Sequence, residues 1–262
     1  MPAREQRGKR KKLKSLAGNH QRCWLWGRNA VVEALRAGHW LPVEIVVAEQ
    51  LAPDLKREIE ELAREGQIPV QVAAADRLTE LCHSREHQGL IAKMPPFPYR
   101  DLADVLRADG PPPLFVLLDS LQDPFNFGAV CRAACVFGAR AVIVARSGQV
   151  EVTSHVARSS AGAINQVAIA CVEDLATTIA ELRSRGVRVW AATISANKVI
   201  GDVDLTQPTA IVIGNEGQGV QPRLIAACDG EVTIPQATSF NSLNAAVAAG
   251  VLLYEVHRQR RG

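Results

Sequence analysis

The chain has 262 residues, 47% of them hydrophobic, enough for one large domain or two modest ones with a real core. Its net charge of +3 averages unlike regions: residues 1–22 hold eight Lys/Arg against Glu5, the last five residues add Arg258, Arg260 and Arg261, and the stretch between carries 19 Lys/Arg against 26 Asp/Glu. Six scattered cysteines without a C-x-x-C pair exclude a disulfide framework or a zinc ribbon, and no apolar run reaches the roughly 20 residues of a membrane span.

These limits leave a folded protein with reduced thiols, no metal and no membrane anchor. It is expected in the cytoplasm, because the basic N-terminus lacks the apolar region of a secretion signal. The basic arm GKRKKLK within residues 1–22 suits a polyanion partner through counterion release and steering, and equally a solubilising tail.

In chain order, VVEALRAG predicts a short helix, VEIVVAE a strand and DLKREIEELAREG an amphipathic helix stopped at Gly66. IPVQVA predicts a second strand, DRLTELCH a helix and GLIAKM a closing strand, so residues 23–93 form a small α/β layer. His83 and His87 stand four apart in it, but Arg85 and Glu86 between them predict a solvated turn rather than a metal site. MPPFPY, residues 94–99, opens a Pro-rich linker that runs to Pro113 and includes the short helix DLADVLRA.

From residue 114 the pattern alternates. Strands are predicted at 114–120, 140–145, 166–172, 187–194, 209–214 and 230–235. Helices ending at Gly138, Gly162, Gly186 and about Asp229 lie between them, followed by a long last helix in SLNAAVAAGVLLYEVHRQR. Near-continuous apolar strands separated by helices predict a parallel sheet covered on both faces, with ligands at the carboxyl ends of the strands.

Three loops at that edge carry unusual residues. In DPFNFGAVCR, Asn126 falls at a helix start, where an N-cap explains it, whereas Arg132 has no carboxylate three or four residues away. A buried charge without a partner is unfavourable, so Arg132 is expected to face a ligand or another subunit, and its planar fork suits phosphate. VIGNEGQGV ends a buried strand in three glycines around Glu216, spaced neither as a dinucleotide fingerprint nor as a Walker A loop. In IPQATSFNSLNAAVAAG, Ser242 and Asn244 bracket Leu243 at the start of a helix of small residues, where capping is the default role. Each loop alone reflects folding more readily than function; three converging on one sheet edge point to a site.

Together these loops resemble the SpoU (TrmH-like) family of RNA 2′-O-ribose methyltransferases in the SPOUT superfamily. The match runs through Asn126, Gly128 and Arg132, then Gly214, Glu216 and Gly219, then Ile234, Pro235, Ser242, Leu243 and Asn244, in order and in spacing. WLWGRNAVVEALRAG and HQGLIA look like the L30e-like RNA-binding domain of the ribosomal-RNA branch, so the resemblance covers about residues 23–257. Gln236 stands where methionine is common, Ala245-Ala246 replaces a frequent Val-Ser, and SSAGAINQ lacks a usual proline.

The resemblance implies an α/β fold with helices on both faces of a parallel sheet and a C-terminal trefoil knot, an outcome that chain-connection rules alone disfavour. It further implies a homodimer binding S-adenosylmethionine through backbone around Gly214, Ile234 and Leu243, with Asn244 beside them. Asn126, Arg132, Glu216, Ser242 and Asn244 become the polar catalytic set. The expected reaction is methyl transfer to a ribose 2′-hydroxyl of 23S ribosomal RNA, with guanosine favoured. A tRNA or an antibiotic-resistance type of rRNA target is the same-chemistry alternative. A silent RNA-binding assembly factor is the alternative of another class, and full retention of the polar positions argues against it.

Overall fold

The computed structural model describes residues 23–238 and 242–262, so the basic arm lies outside the described residues. The chain starts with β1 (Trp24–Trp26), α1 (Arg28–Ala37), β2 (Glu44–Ala48), α2 (Pro53–Glu65), β3 (Val70–Ala73), α3 (Ala75–Cys82) and β4 (Leu90–Lys93). The four strands order as β1-β4-β2-β3, with β2 and β3 parallel and the other pairs antiparallel. Leu55, Ile59 and Ala63 recur at helical spacing on α2 and are buried, which is why that segment is helical. β1 was not assigned a strand from the sequence. Its three residues are buried on both faces, Leu25 in the main core and the two tryptophans in a smaller cluster with Leu78 and Cys82, so no alternation marks it.

One expectation for this half is corrected in part. The turn forms with His83, Arg85 and Glu86 exposed, but His87 within it is buried: its Nε2 lies 3.1 Å from Thr79 Oγ1, and its Nδ1 accepts from Gly89 N at 3.0 Å. Burial lowers its pKa, and with the neutral ring's acceptor nitrogen taken up by Gly89 the residue is a structural pin. The proline-rich linker is no loose tether. Met94 and Phe97 are buried, and Trp40 Nε1 donates to Pro95 O at 2.9 Å. Phe97 meets Trp40 and Tyr99 edge-on, while Val152 N donates to Tyr99 Oη at 3.0 Å and Arg100 N donates to Ile169 O at 2.8 Å. Prolines set the backbone here, but aromatic burial fixes it against both halves.

After α4 (Leu102–Arg107) come β5 (Leu114–Leu118), α5 (Pro124–Val136), β6 (Ala141–Ala145), α6 (Ser154–Ser159), β7 (Ala168–Val172), α7 (Leu175–Ser184), β8 (Arg188–Ala192), β9 (Thr209–Ile213), α8 (Pro222–Ala227), β10 (Gly230–Val232) and α9 (Ala245–Arg261). Six strands form one sheet in the order β10-β8-β9-β5-β6-β7, every pairing parallel. Alternate residues of β5 divide between two cores. Leu114, Val116 and Leu118 pack with Phe127 of α5 and Leu252 of α9, and Phe115 and Leu117 with Ile179 of α7 and Leu224 of α8. The first core runs without a break into the N-terminal layer, through Leu25, Val31 and Ile45.

The C-terminal arginines are largely committed to the fold. Arg260 donates to the carbonyls of Pro112, Pro113, Leu205 and Gln207, and Arg258 pairs with Glu255. That basic end is therefore less available to a polyanion than its charge suggests. Cys82, Cys131, Cys135, Cys171 and Cys228 are free thiols, and no helix among the described residues is long and apolar enough to cross a membrane.

Gly128 explains itself in this packing. A Cβ there would stand 2.6 Å from Val156 O and 2.8 Å from Ser160 N, so α5 and α6 approach as closely as they do only with glycine. Gly128→Ala is expected to destabilise the protein by about 1–3 kcal/mol, read as a lowered thermal midpoint. An unchanged midpoint would contradict the close approach.

Candidate active site

The loops after β5, β8, β9 and β10 meet at the carboxyl edge of the sheet. After β9 the chain turns through Gly214, where a Cβ would clash with the backbone of Gly219 and Val220. Asn215 and Gly219 close the turn by exchanging backbone hydrogen bonds of 3.1 and 2.9 Å, with Gly219 at φ 69°. Asn215 Oδ1 accepts from Gly217 N at 2.8 Å, and its Nδ2 donates to Ser120 O at 2.8 Å. The glycines thus serve one tight turn that holds Glu216 outward.

Asn126 does not cap its helix. Asp123 does, accepting from Phe125 N at 2.9 Å, which leaves the Asn126 amide inside the first turn and free for other partners. Its Nδ2 donates to Glu216 Oε1 at 2.9 Å, and its Oδ1 accepts from Asn244 Nδ2 at 3.0 Å. The orientation is forced, because an ionised Glu216 can only accept. Asn244 is the cap of α9, taking Ala246 N and Val247 N on its Oδ1, so helix entry falls two residues after Ser242. One chain of side-chain bonds therefore ties together the three loops.

Beside this junction opens a cleft of about 390 Å³, lined by Gly214, Glu216, Ile234, Ser242 and Leu243 among the expected residues. That volume suits a small organic ligand. Thr193 and Ile194, at the end of β8, line it too and escaped the sequence reading. They carry no polar motif, and only the strand order puts β8 beside β9.

Arg132 is not among these. It is exposed rather than buried, with no ion pair or hydrogen bond among the described residues. It lies six residues past Asn126, about 120° away around α5. The structure corrects its burial and leaves its lack of a partner intact.

A second missed residue is Asp119. It is 1% exposed and accepts from Gln221 N at 2.7 Å, Gln221 Nε2 at 2.5 Å and Ser120 Oγ at 3.0 Å. Ser120 is left-handed at φ 61°, and its carbonyl receives Asn215. A carboxylate closing the apolar run LFVLLD was the only signal in the sequence. Among the described residues no group of three metal-ligating side chains is close enough to hold a metal.

An open parallel sheet with a backbone-lined cleft and a polar junction at its carboxyl edge defines a small-molecule site. Residues 113–254 match the SpoU rRNA methylase family, and residues 24–100 match the model for RNA 2′-O ribose methyltransferase substrate binding. A Bacillus subtilis protein named as a TrmH family tRNA/rRNA methyltransferase, YacO, is 34% identical over 92% of this chain and 98% of its own. A Mycobacterium tuberculosis protein named as an uncharacterized tRNA/rRNA methyltransferase is 37% identical over 90% of this chain and 74% of its own. The SpoU methyltransferase AviRb from Streptomyces viridochromogenes, solved with its cofactor AdoMet, superposes with a TM-score of 0.77 at 27% identity, over 91% of this chain and 90% of that one. The chain belongs to the SpoU family and is an RNA methyltransferase.

Asp119→Ala would leave the Gln221 donors without their acceptor. It is expected to destabilise the protein by about 1–3 kcal/mol and to speed amide exchange at Gln221. Unchanged exchange with an unchanged thermal midpoint would contradict the clamp.

Proposed function

We propose that the protein transfers a methyl group from S-adenosylmethionine to a ribose 2′-hydroxyl of ribosomal RNA, in 23S RNA and at a guanosine. The observation that carries this reading is the bonded junction of Asn126, Glu216 and Asn244 at the mouth of the cleft. The ribosomal target rests on the family description and on the HQG-containing N-terminal layer, taken as an L30e-like RNA grip. The relatives named for both RNAs make tRNA the second reading.

The cleft fits the cofactor. Apolar walls at Ile234 and Leu243, with backbone polar groups around Gly214, suit an adenosine. S-adenosylmethionine supplies an electrophilic methyl when bound. The chain's own task is to place the hydroxyl and deal with its proton. Arg132, free of internal partners, grips the phosphate beside the ribose and stabilises the developing alkoxide; the planar, positively charged fork of a guanidinium suits this electrostatic role. Glu216, Ser242 and Asn244 orient the ribose, with Asn126 holding Glu216 and Asn244 in register.

A homodimer completes the site. Val136 on α5 and Val247, Val251 and Tyr254 on α9 are exposed, and Tyr254 is 52% accessible, an apolar face that a second copy would cover. Arg132 lies one turn before Val136 on α5, at the border of that face. The trefoil knot belongs to the same reading: the chain leaves β10 at the sheet edge, yet Asn244 returns to Asn126 and Glu216 beside the central strands. The basic arm adds sequence-independent hold on RNA in the cytoplasm.

Labelled methyl transfer to unmodified large-subunit RNA and to tRNA separates the two targets; transfer to neither would overturn the proposal. Arg132→Ala should lower transfer at least about a hundredfold while S-adenosylhomocysteine affinity stays near wild type, and near-normal turnover would defeat its role. Deleting residues 1–22 should weaken RNA binding and flatten its salt dependence without loss of chemistry. Unchanged affinity at low salt would make the arm a solubilising tail.

A further inference from the structure

A second cleft, of about 630 Å³, lies between the N-terminal layer and α6 and shares no lining residue with the cofactor cleft. Phe125 forms part of its wall and is 60% exposed, although it directly precedes Asn126. An aromatic ring left in solvent beside an active site is a surface looking for cover. His155 of α6 stands 5.9 Å from it and packs edge-on to Trp26 at 5.3 Å. Arg158 lies over the Trp26 ring at 4.7 Å and bonds Glu86 of the N-terminal layer at 2.9 Å. The exposed Phe125 ring, with His155 beside it and His83 across the cleft, is thus set among polar groups, and the arginine of the cleft is paired with a carboxylate.

That chemistry discriminates between the parts of a nucleotide. A phosphate entering here would meet an arginine already neutralised by Glu86, whereas a base would find ring faces at its flanks and polar edges at Ser84, Glu86 and Ser159. Phosphate has a better receptor nearby. Arg132 lies seven residues after Phe125, almost the same angle around α5 and about 10 Å further along its axis. One side of one helix thus offers a ring and, two turns on, an unpaired guanidinium.

We infer that this cleft is a nucleobase site, in which Phe125 and His155 stack an unpaired base of the substrate RNA while Arg132 takes a phosphate of the same strand. The inference rests on the proposed RNA 2′-O-methyl transfer and adds to it where the base sits. Both halves of the protein build the cleft, so the N-terminal layer shapes the catalytic neighbourhood as well as gripping RNA at a distance. Phe97, Tyr99 and the paired Arg158–Glu86 fix the relative placement that keeps the cleft open.

The test uses the full-length protein with Phe125→Ala, Phe125→Leu and Phe125→Trp. Stacking of one base is worth about 1–3 kcal/mol, so kcat/KM on large-subunit RNA should fall about 5- to 150-fold for Phe125→Ala. Phe125→Leu should fall similarly, since it keeps apolar bulk without a ring, and Phe125→Trp should restore activity. S-adenosylhomocysteine affinity and thermal midpoint should not move. Wild-type activity in Phe125→Leu would overturn the stacking role. A second arm is independent of turnover: a mixed-sequence single-stranded RNA oligonucleotide is photo-cross-linked to the protein and the linked peptides are identified by mass spectrometry. Cross-links on the peptides holding Phe125 or His155 support the site even if no RNA is methylated, an outcome that would sink the methyl-transfer reading alone. Cross-links confined to other peptides, or burial of Phe125 by a second copy of the chain, would overturn it.

Discussion

The Asn126 side chain holds the carboxyl edge of the sheet together. One amide donates to Glu216 and accepts from Asn244, joining its own segment to two others that lie 90 and 118 residues away in sequence. Each segment has its own local reason to be where it is: Asp123 caps the helix that carries Asn126, Gly214 and Gly219 fold the turn that carries Glu216, and Asn244 caps the last helix itself. The bridge converts three local solutions into one surface. Behind it, buried Asp119 and left-handed Ser120 tie the loop after β5 to the loop after β9, so the junction has a rigid floor. Hydrogen bonds to a charged acceptor in such a network are stronger than neutral ones and fix orientation as well as position.

Small residues are the second constraint. Gly128 lets α6 lie against α5, and Gly214 lets the β9 loop fold onto itself. In the first core the parallel sheet and α9 pack against α5, and the same core continues into the N-terminal layer. The aromatic strap around Phe97 then seats the two sheets against each other. Prolines stiffen the linker between the halves, and buried rings and backbone bonds make it a fixed joint.

Much of this was legible in the sequence, for reasons that differ by element. The six strands of the parallel sheet appear as apolar runs because both faces are buried, and α2 appears through its Leu55, Ile59 and Ala63 spacing. The three strand-end loops stood out because polar and glycine residues interrupt apolar runs. What escaped is what depends on tertiary neighbours. Asp123 followed by Pro124 is a local cap signal that the reading passed over, but nothing local says that His87 is buried or that WLW is a strand with both faces covered. Asp119 and Ile194 became visible only when the strand order set their loops side by side. Arg132 was read as buried because its helical neighbours are small and apolar; it lies instead on an exposed face of α5 beside Val136.

The central claim is that this edge is built around a ribose hydroxyl rather than a base nitrogen or carbon. Nuclease digestion and mass spectrometry of large-subunit RNA, treated with the purified protein and S-adenosylmethionine, tests it most directly. A single new 2′-O-methylnucleoside, absent without the protein, is the predicted result. A base-methylated nucleoside in its place would contradict the account.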